Sequence, residues 1–139
     1  MQLIGFNFTK VSAEKISSTK NTRPEIQLDF TDLDKDKIEM LKDKDILRVL
    51  FKYMITYISK EDKKGAAPGS ITLLGAVSLS ASQEESKEIL KAWKKKEIPS
   101  SFQIPLYNTI LRKCTLKAAN LQEDLSLPIT LPLPKVGPK

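Results

Sequence analysis

A two-residue alternation in residues 46–58 is the feature of this sequence that most constrains its fold. The odd positions carry apolar or aromatic side chains, and the even positions include Arg48, Lys52 and Thr56. A strand points successive side chains to opposite faces, so the pattern describes one apolar face and one face in contact with water. The β-branched and aromatic content favours a strand over a helix. The segment is therefore predicted to be a strand.

The same alternation recurs in residues 3–11, 25–33 and 70–80, which predicts three further strands. The turn at residues 61–69 contains two glycines and a proline, and it predicts an antiparallel hairpin between residues 46–58 and 70–80. The charged residues 32–45 are interpreted as a loop or a short helical turn. The apolar sides carry Ile4, Phe6 and Phe8 in the first segment and Ile26, Leu28 and Phe30 in the second.

Two helices are expected after the fourth strand. Ser82 and Glu85 have the spacing of a capping box, in which each side chain accepts a backbone N–H of the other residue. This helix is expected to end with the lysines 94–96 in its last turn. The break at residues 99–101 precedes a second helix, with Pro105 in its first turn.

The second helix carries an apolar stripe with alternating spacings of four and three residues, as in a heptad pattern. Packing on the sheet of the same chain and a helix-to-helix contact between subunits explain this stripe equally well. The residues assigned to a candidate oligomer interface are Tyr107, Leu111, Cys114, Ala118 and Leu121.

Residues 127–139 are rich in proline, which is incompatible with a helix and interrupts strand pairing. Their leucines and Ile129 alternate, so the tail is expected to lie extended along an apolar surface. We expect one domain over residues 1–139, with the sheet and helices in 1–126 and the extended tail in 127–139.

Composition argues against catalysis and metal binding. The chain of 139 residues has no histidine and one cysteine, Cys114, which removes the commonest general base and any cysteine cage for a metal. We therefore expect no enzymatic activity and no cofactor. The sequence shows no secretory signal and no apolar run long enough to cross a bilayer, which favours a cytoplasmic protein without membrane insertion.

The formal net charge of +6 is compatible with several partners. The densest basic cluster is Lys94, Lys95 and Lys96, but no aromatic RNA-binding motif, zinc finger or phosphate-binding loop accompanies it. Cations at a helix end interact favourably with the helix dipole, and this interpretation is preferred to a nucleic-acid site. A basic nucleic-acid- or ribosome-associated adaptor is the alternative function, although nucleic acid is an unlikely partner.

The order and spacing of these elements resemble the SecB-like export chaperones over roughly residues 4–134. No single motif defines the resemblance, which lies in the succession of segments. The segments are FNFTKVSAE from residue 6, PEIQLDF from residue 24, ILRVLFKYMITY from residue 46, GSITLLGAVS from residue 69 and LSLPITLPLP from residue 125.

The resemblance implies an α+β fold with a four-stranded antiparallel sheet and two helices packed on one side. It also implies a homotetramer built as a dimer of dimers, and ATP-independent holding of unfolded or nascent polypeptides during export. The family's bacterial members are typically acidic and dock on the SecA motor, so docking on that motor is not carried over to this basic chain. Other SecB-like proteins serve toxin–antitoxin systems, which leaves the client open.

A holdase needs apolar surface that tolerates many client sequences, and the aromatic residues of the strands are candidates to supply it. Each of them can instead belong to the core, because one face of every strand must cover the helices. Trp93 is likewise either a helix anchor or a client contact. The candidate polypeptide-binding residues are Phe6, Phe8, Leu28, Phe30, Tyr53 and Tyr57.

Overall fold

The computed structural model describes residues 1–36, 44–60 and 67–131. The strands of this part of the chain form one antiparallel sheet in the order β1-β4-β3-β2. Helices α1 and α2 pack on one face of the sheet, which confirms the α+β fold class. The elements are β1 Gln2–Lys15, β2 Thr22–Asp36, β3 Lys44–Ser59, β4 Gly69–Ser82, α1 Gln83–Trp93 and α2 Ser100–Leu125.

The core lies between the helices and one face of the inner strands β3 and β4. The odd residues of β3 from Leu47 to Tyr57 are all buried, and the even residues between them are not, as the alternation predicts. Residues 47–57 pair with residues 69–79, so the predicted hairpin is confirmed. The odd positions of β4 continue the same buried face with Ile71, Leu73, Val77 and Leu79.

A β-bulge near the start of β1 changes which residue faces the core. The register with β4 shifts between Leu3 and Gly5, so that Ile4 has no partner in the pairing. Ile4 is 49% exposed, whereas Leu3 packs against the core. The expectation that Ile4 shares the apolar side of Phe6 and Phe8 is therefore wrong, because an extra residue in a strand inverts the alternation.

The charged residues at the end of β2 belong to the strand and not to a loop. Residues 32–36 pair with residues 46–50 of β3, after a register shift between Phe30 and Asp32. Asp34 lies opposite Arg48, an arrangement that favours pairing over a polar turn. Residues 44 and 45 of the expected loop belong to β3, where they pair with residues 82 and 81. The rest of that loop, residues 37–43, and most of the turn at residues 61–69 lie outside the described residues.

The capping box of α1 is present as the sequence predicts. The Glu85 N–H donates to Ser82 Oγ at 3.1 Å, and the Ser82 N–H donates to Glu85 Oε1 at 3.0 Å. The second of these bonds lowers the pKa of the Glu85 carboxyl, because the ionised form is the better acceptor. The helix ends at Trp93, so the lysines 94–96 follow the last turn and do not lie within it.

Helix α2 begins earlier than expected, at Ser100, which places Pro105 in the second turn and not in the first. Its buried residues recur every four positions, and not with the alternating four-and-three spacing of a heptad stripe. Rows of residues four apart form a ridge inclined to the helix axis, and such a ridge is a common packing surface of a helix. The buried residues are Phe102, Leu106, Ile110, Cys114, Ala118 and Gln122.

Gly75 is required in the middle of β4 because an aromatic ring occupies the space above it. A Cβ at Gly75 would lie 2.5 Å from Phe51 Cζ and 2.6 Å from the Asn7 carbonyl oxygen. Overpacking of this kind typically costs about 1–3 kcal/mol. We expect Gly75→Ala to lower the free energy of unfolding by about that amount in chemical denaturation.

Gly5 offers a matched control on the neighbouring strand. Its Cβ would lie 3.5 Å from Ser78 Cβ, which is an ordinary van der Waals distance. Gly5→Ala should therefore leave the free energy of unfolding nearly unchanged. Equal losses in the two variants would show that the Phe51 ring does not select glycine.

Candidate functional site

A groove of about 460 Å³ opens between the edge strand β2, the start of α2 and the connection between the helices. It forms because α2 covers the sheet incompletely at this edge. Phe30 of β2 supplies one wall, and Tyr107 of α2 supplies the other. The lining residues are Asp29, Phe30, Trp93, Lys96, Glu97, Ile98, Ser100, Gln103 and Tyr107.

Three aromatic side chains supply apolar surface to a groove whose accessible lining is otherwise mostly polar. The rings of Phe30 and Tyr107 are 5.0 Å apart, in a tilted arrangement. Trp93 ends α1 beside them, and all three side chains are half-buried. The nearly buried Ile98 adds apolar surface, with 8% of its side chain exposed. Half-covered aromatic rings of this kind leave large apolar areas available for contact.

Charged side chains of both signs border these rings. Lys96 Nζ lies 5.0 Å from the centre of the Trp93 ring, within the range of a cation–π contact. Lys96 has a positive φ of 58°, and its N–H donates to the Trp93 carbonyl at 2.8 Å. This turn directs the chain from α1 toward α2 and keeps the ammonium over the indole. Asp29 and Glu97 supply negative charge on the same rim.

A second aromatic cluster lies on the β1 side of the sheet, apart from the groove. Phe6 stacks on Phe51 with ring centres 5.4 Å apart and meets the edge of Phe8 at 5.1 Å. Lys113 of α2 places Nζ 5.9 Å from the centre of the Phe6 ring. Both Phe6 and Phe8 are half-buried and pack against the core.

The structure distributes the candidate polypeptide-binding residues over three environments. Phe30 lines the groove, and Leu28 is half-buried two residues before it on β2. The rings of Tyr53 and Tyr57 lie in the core beneath α2, with 1% and 0% of their surface exposed. Burial raises the pKa of both tyrosine hydroxyls. Phe6 and Phe8 form the separate cluster on β1.

The candidate interface residues of α2 are similarly divided. Cys114 and Ala118 are fully buried against the sheet of the same chain, and Leu121 is partly buried. Leu111 is 38% exposed, and Tyr107 lies in the groove. The outward side of α2 instead exposes Ile104 at 62% and Leu116 at 54%.

Sequence reasoning did not anticipate that Trp93, Tyr107 and Phe30 come together. Trp93 and Tyr107 stand in different helices, and Phe30 stands more than sixty positions before them. The only signal that the three residues share in the sequence is that each is a large aromatic. The connection between α1 and α2, which contains Ile98 and brings Trp93 close to Tyr107, has no recognisable sequence pattern.

Within residues 1–36, 44–60 and 67–131, no three acidic, cysteine or histidine side chains are close enough to hold a metal ion. Among the helices of that same part of the chain, none combines the length and hydropathy needed to cross a membrane.

Comparison with known proteins matches the fold but not the sequence. No protein family model and no curated protein matches this chain. Among solved structures it is similar to the Mycobacterium tuberculosis Rv1957 SecB-like chaperone, solved in complex with a ChAD peptide from the Rv1956 HigA1 antitoxin. The TM-score is 0.50 at 14% sequence identity, over 99% of this chain and 92% of the other. The chain therefore has a SecB-like fold.

The buried position of Cys114 makes its thiol unreactive in the folded chain. Burial raises the pKa of the Cys114 thiol to about 12, because the thiolate loses its hydration in the core. Thiol reagents attack the thiolate, so we expect the reaction with a disulfide reagent near pH 8 to be slowed about 1000-fold or more by folding. The measurement compares native and denatured protein.

The raised pKa of Cys114 makes the stability of the fold decrease at alkaline pH. The unfolded thiol ionises from about pH 9, so this group stabilises the fold fully below that pH and progressively less as the pH rises toward 12. Cys114→Ala removes this contribution to the loss of stability in alkali. Rapid labelling of the native thiol would contradict the placement of α2.

Proposed function

We propose that this chain is an ATP-independent holding chaperone that binds extended, non-native polypeptide segments in the groove between β2 and α2. The single observation that carries the proposal is the set of half-exposed rings of Phe30, Trp93 and Tyr107 at the edge of a SecB-like sheet. The SecB-like chaperone with which the fold is shared was solved with a peptide, which supports polypeptide as the ligand class. Such binding needs neither a nucleophile nor a cofactor.

The groove has the size and composition for weak, reversible binding. Each large apolar side chain transferred from water into it gains about 1.5–3 kcal/mol. Three or four such contacts gain about 5–12 kcal/mol, and the surplus left after the cost of ordering the client is at most about 7–9 kcal/mol. That corresponds to a micromolar dissociation constant, which is strong enough to prevent aggregation and weak enough to release the client.

Charge adds a second component to client capture. The net charge of +6 attracts acidic segments at long range, and this attraction decreases with salt. Lys96 lies at the groove itself, where it is available to a carboxylate of the client next to an aromatic contact. Asp29 and Glu97 serve basic client residues in the same way, so the groove tolerates both signs of charge.

The client assay tests the groove directly. We expect the protein to suppress the aggregation of a chemically unfolded model protein without nucleotide, and Tyr107→Ser to weaken client affinity about 10- to 100-fold, since one aromatic contact is lost. Trp93 is the only tryptophan of the chain, so its fluorescence reports binding at the groove in the same titration.

The matched control is Val11→Ser, which removes a 42% exposed apolar side chain on β1, away from the groove. This variant should suppress aggregation as well as the unmodified protein. Thermal unfolding of both variants separates a loss of binding from a loss of folding. Full activity of a folded Tyr107→Ser variant would exclude the groove as the client site.

We further propose that the functional form is a cytoplasmic homo-oligomer, a dimer of dimers, with the outward side of α2 in the interface. The exposed side chains of Ile104, Leu111 and Leu116 support this assignment, since they leave apolar surface on the side of the helix that the sheet does not cover. Cys114 and Ala118 are fully buried against the sheet of the same chain, so they would contribute to the interface only by holding α2 in place.

Light scattering tests the assembly. A dimer of dimers has four times the 15.6 kDa mass of one chain. A double substitution of Ile104→Asp and Leu111→Asp places charges in the proposed interface, and we expect it to reduce the particle to a dimer or monomer at micromolar concentration. An unchanged mass of the double variant would show that the interface does not include this side of α2. A monomeric unmodified protein would contradict the proposed oligomer.

A further inference from the structure

A buried polar contact near the end of α2 holds the segment that follows this helix. Gln122 is fully buried, and its Nε2 donates to the Tyr57 hydroxyl at 2.8 Å and to Thr130 Oγ1 at 3.1 Å. The Thr130 N–H donates to Gln122 Oε1 at 3.3 Å. The Tyr57 hydroxyl in turn donates to the Pro128 carbonyl at 2.6 Å. Two core side chains thus direct their polar groups at the main chain of this segment.

Leu127 anchors the same segment in the core. Its side chain is 4% exposed, and its N–H donates to the Gln122 carbonyl at 2.9 Å. A Cβ at Gly69 would lie 2.8 Å from Leu127 Cδ2, so the glycine provides the space that the leucine fills. The intervening Pro128 and Ile129 are exposed. The contacts therefore select a leucine and a threonine three residues later, and they tolerate what lies between.

The chemistry of Gln122 indicates recognition and not packing alone. It is the one polar member of a buried row that is otherwise apolar or small. Burying an amide without partners costs several kcal/mol, and an apolar residue at this position would avoid that cost. The partners of the Gln122 side chain, apart from Tyr57, are both atoms of Thr130. The amide is thus satisfied by a peptide segment lying against it.

We propose that Tyr57, Gly69 and Gln122 form a second polypeptide-binding site, which we call the tail site, for an extended segment with a leucine followed three residues later by threonine or serine. The chain's own residues 127–130 occupy this site in cis. Release of these residues opens the tail site to a segment of the same kind from another polypeptide. The external ligand rests on the proposed function, but the tail site shares no residue with the groove.

Tethering makes the cis segment a strong competitor. A segment joined directly to the end of α2 acts at an effective concentration on the order of millimolar, so a free peptide of equal intrinsic affinity is excluded at micromolar concentration. Ser126 supplies the tight connection, with a positive φ of 54° that turns the chain back from the helix. The unmodified protein should therefore bind such a peptide weakly, and a variant with a released tail should bind it well.

The experiment uses the full chain and a fluorescent synthetic peptide, SLPITL, which has the sequence of residues 126–131. Leu127→Asp releases the tail, because a carboxylate cannot remain in the apolar space above Gly69. We expect this variant to bind the peptide at least about 10-fold more tightly than the unmodified protein does. The double variant Leu127→Ala and Thr130→Pro, which removes the leucine anchor, the N–H and the hydroxyl without burying a charge, should give the same result if Leu127→Asp does not fold.

Two controls assign the binding to the tail site. Adding Gln122→Met to a release variant keeps the size of the side chain and removes its amide, so we expect the gain in affinity to be lost. The peptide SLPIVL, which lacks the threonine hydroxyl, should bind the release variants several-fold more weakly, since one hydrogen bond is missing. Equal affinity of the unmodified and release proteins, or affinity that survives Gln122→Met, would overturn the proposal.

Further outcomes separate the tail site from the groove and from tail exchange. Tyr107→Ser should leave peptide affinity of a release variant unchanged, so a chain that fails to suppress aggregation but binds the peptide retains the tail site and loses only the groove. If release of the tail dissociates an oligomer in light scattering, the occupant is the tail of a second copy, and the cis assignment is wrong.

Discussion

The contact between the four-residue row of α2 and the apolar face of the sheet is the constraint on which the other features depend. That face is widest over the inner strands β3 and β4, where its odd residues are almost completely covered. One helix is too narrow to cover four strands, and the edge strand β2 therefore keeps Phe30 only partly covered by Tyr107. The short helix α1 and its exit through Lys96 and Ile98 close this edge from one end only. The groove is the part of this edge that the helices leave uncovered. It exists because the two helices are narrower than the four-stranded sheet, and no dedicated loop is needed to form it.

Most of the fold could be predicted from the sequence because its signals are local. The alternation around Tyr53 identifies a strand and its buried face, and the Ser82–Glu85 pair identifies the start of a helix. The errors arose where a single residue shifts a pattern. The bulge at Ile4 inverts the faces of β1, and the pairing of Asp34 opposite Arg48 keeps a charged segment in a strand. Both features depend on the register with the neighbouring strand, and the local periodicity of one strand gives no information about that register.

The candidate site was less predictable, because exposure of an aromatic depends on what covers it. Phe30 and Tyr57 occupy apolar sides of neighbouring strands, and nothing in their local patterns distinguishes them. Phe30 lies on an edge strand beside the first turns of α2, whereas Tyr57 lies on an inner strand beneath the last turns of α2. The spacing of the α2 stripe was equally uninformative, since Cys114 fits both a heptad seam and a row of residues four apart. Only the docking angle of the helix decides between them.

The proposed groove and the proposed tail site would offer a polypeptide different chemistry, and both lie along α2. The groove presents aromatic rings, whereas Gln122 and Tyr57 present polar groups that bond the main chain of residues 128 and 130 and the Thr130 hydroxyl. Tyr107 and Gln122 are fifteen positions apart on the helix, which is about 22 Å at 1.5 Å per residue. An extended segment of about seven residues covers that distance. On these two proposals, a client of that length that displaces residues 127–130 would gain both kinds of contact, whereas a shorter one would meet only the groove. The cis segment would then favour long unfolded segments over short peptides.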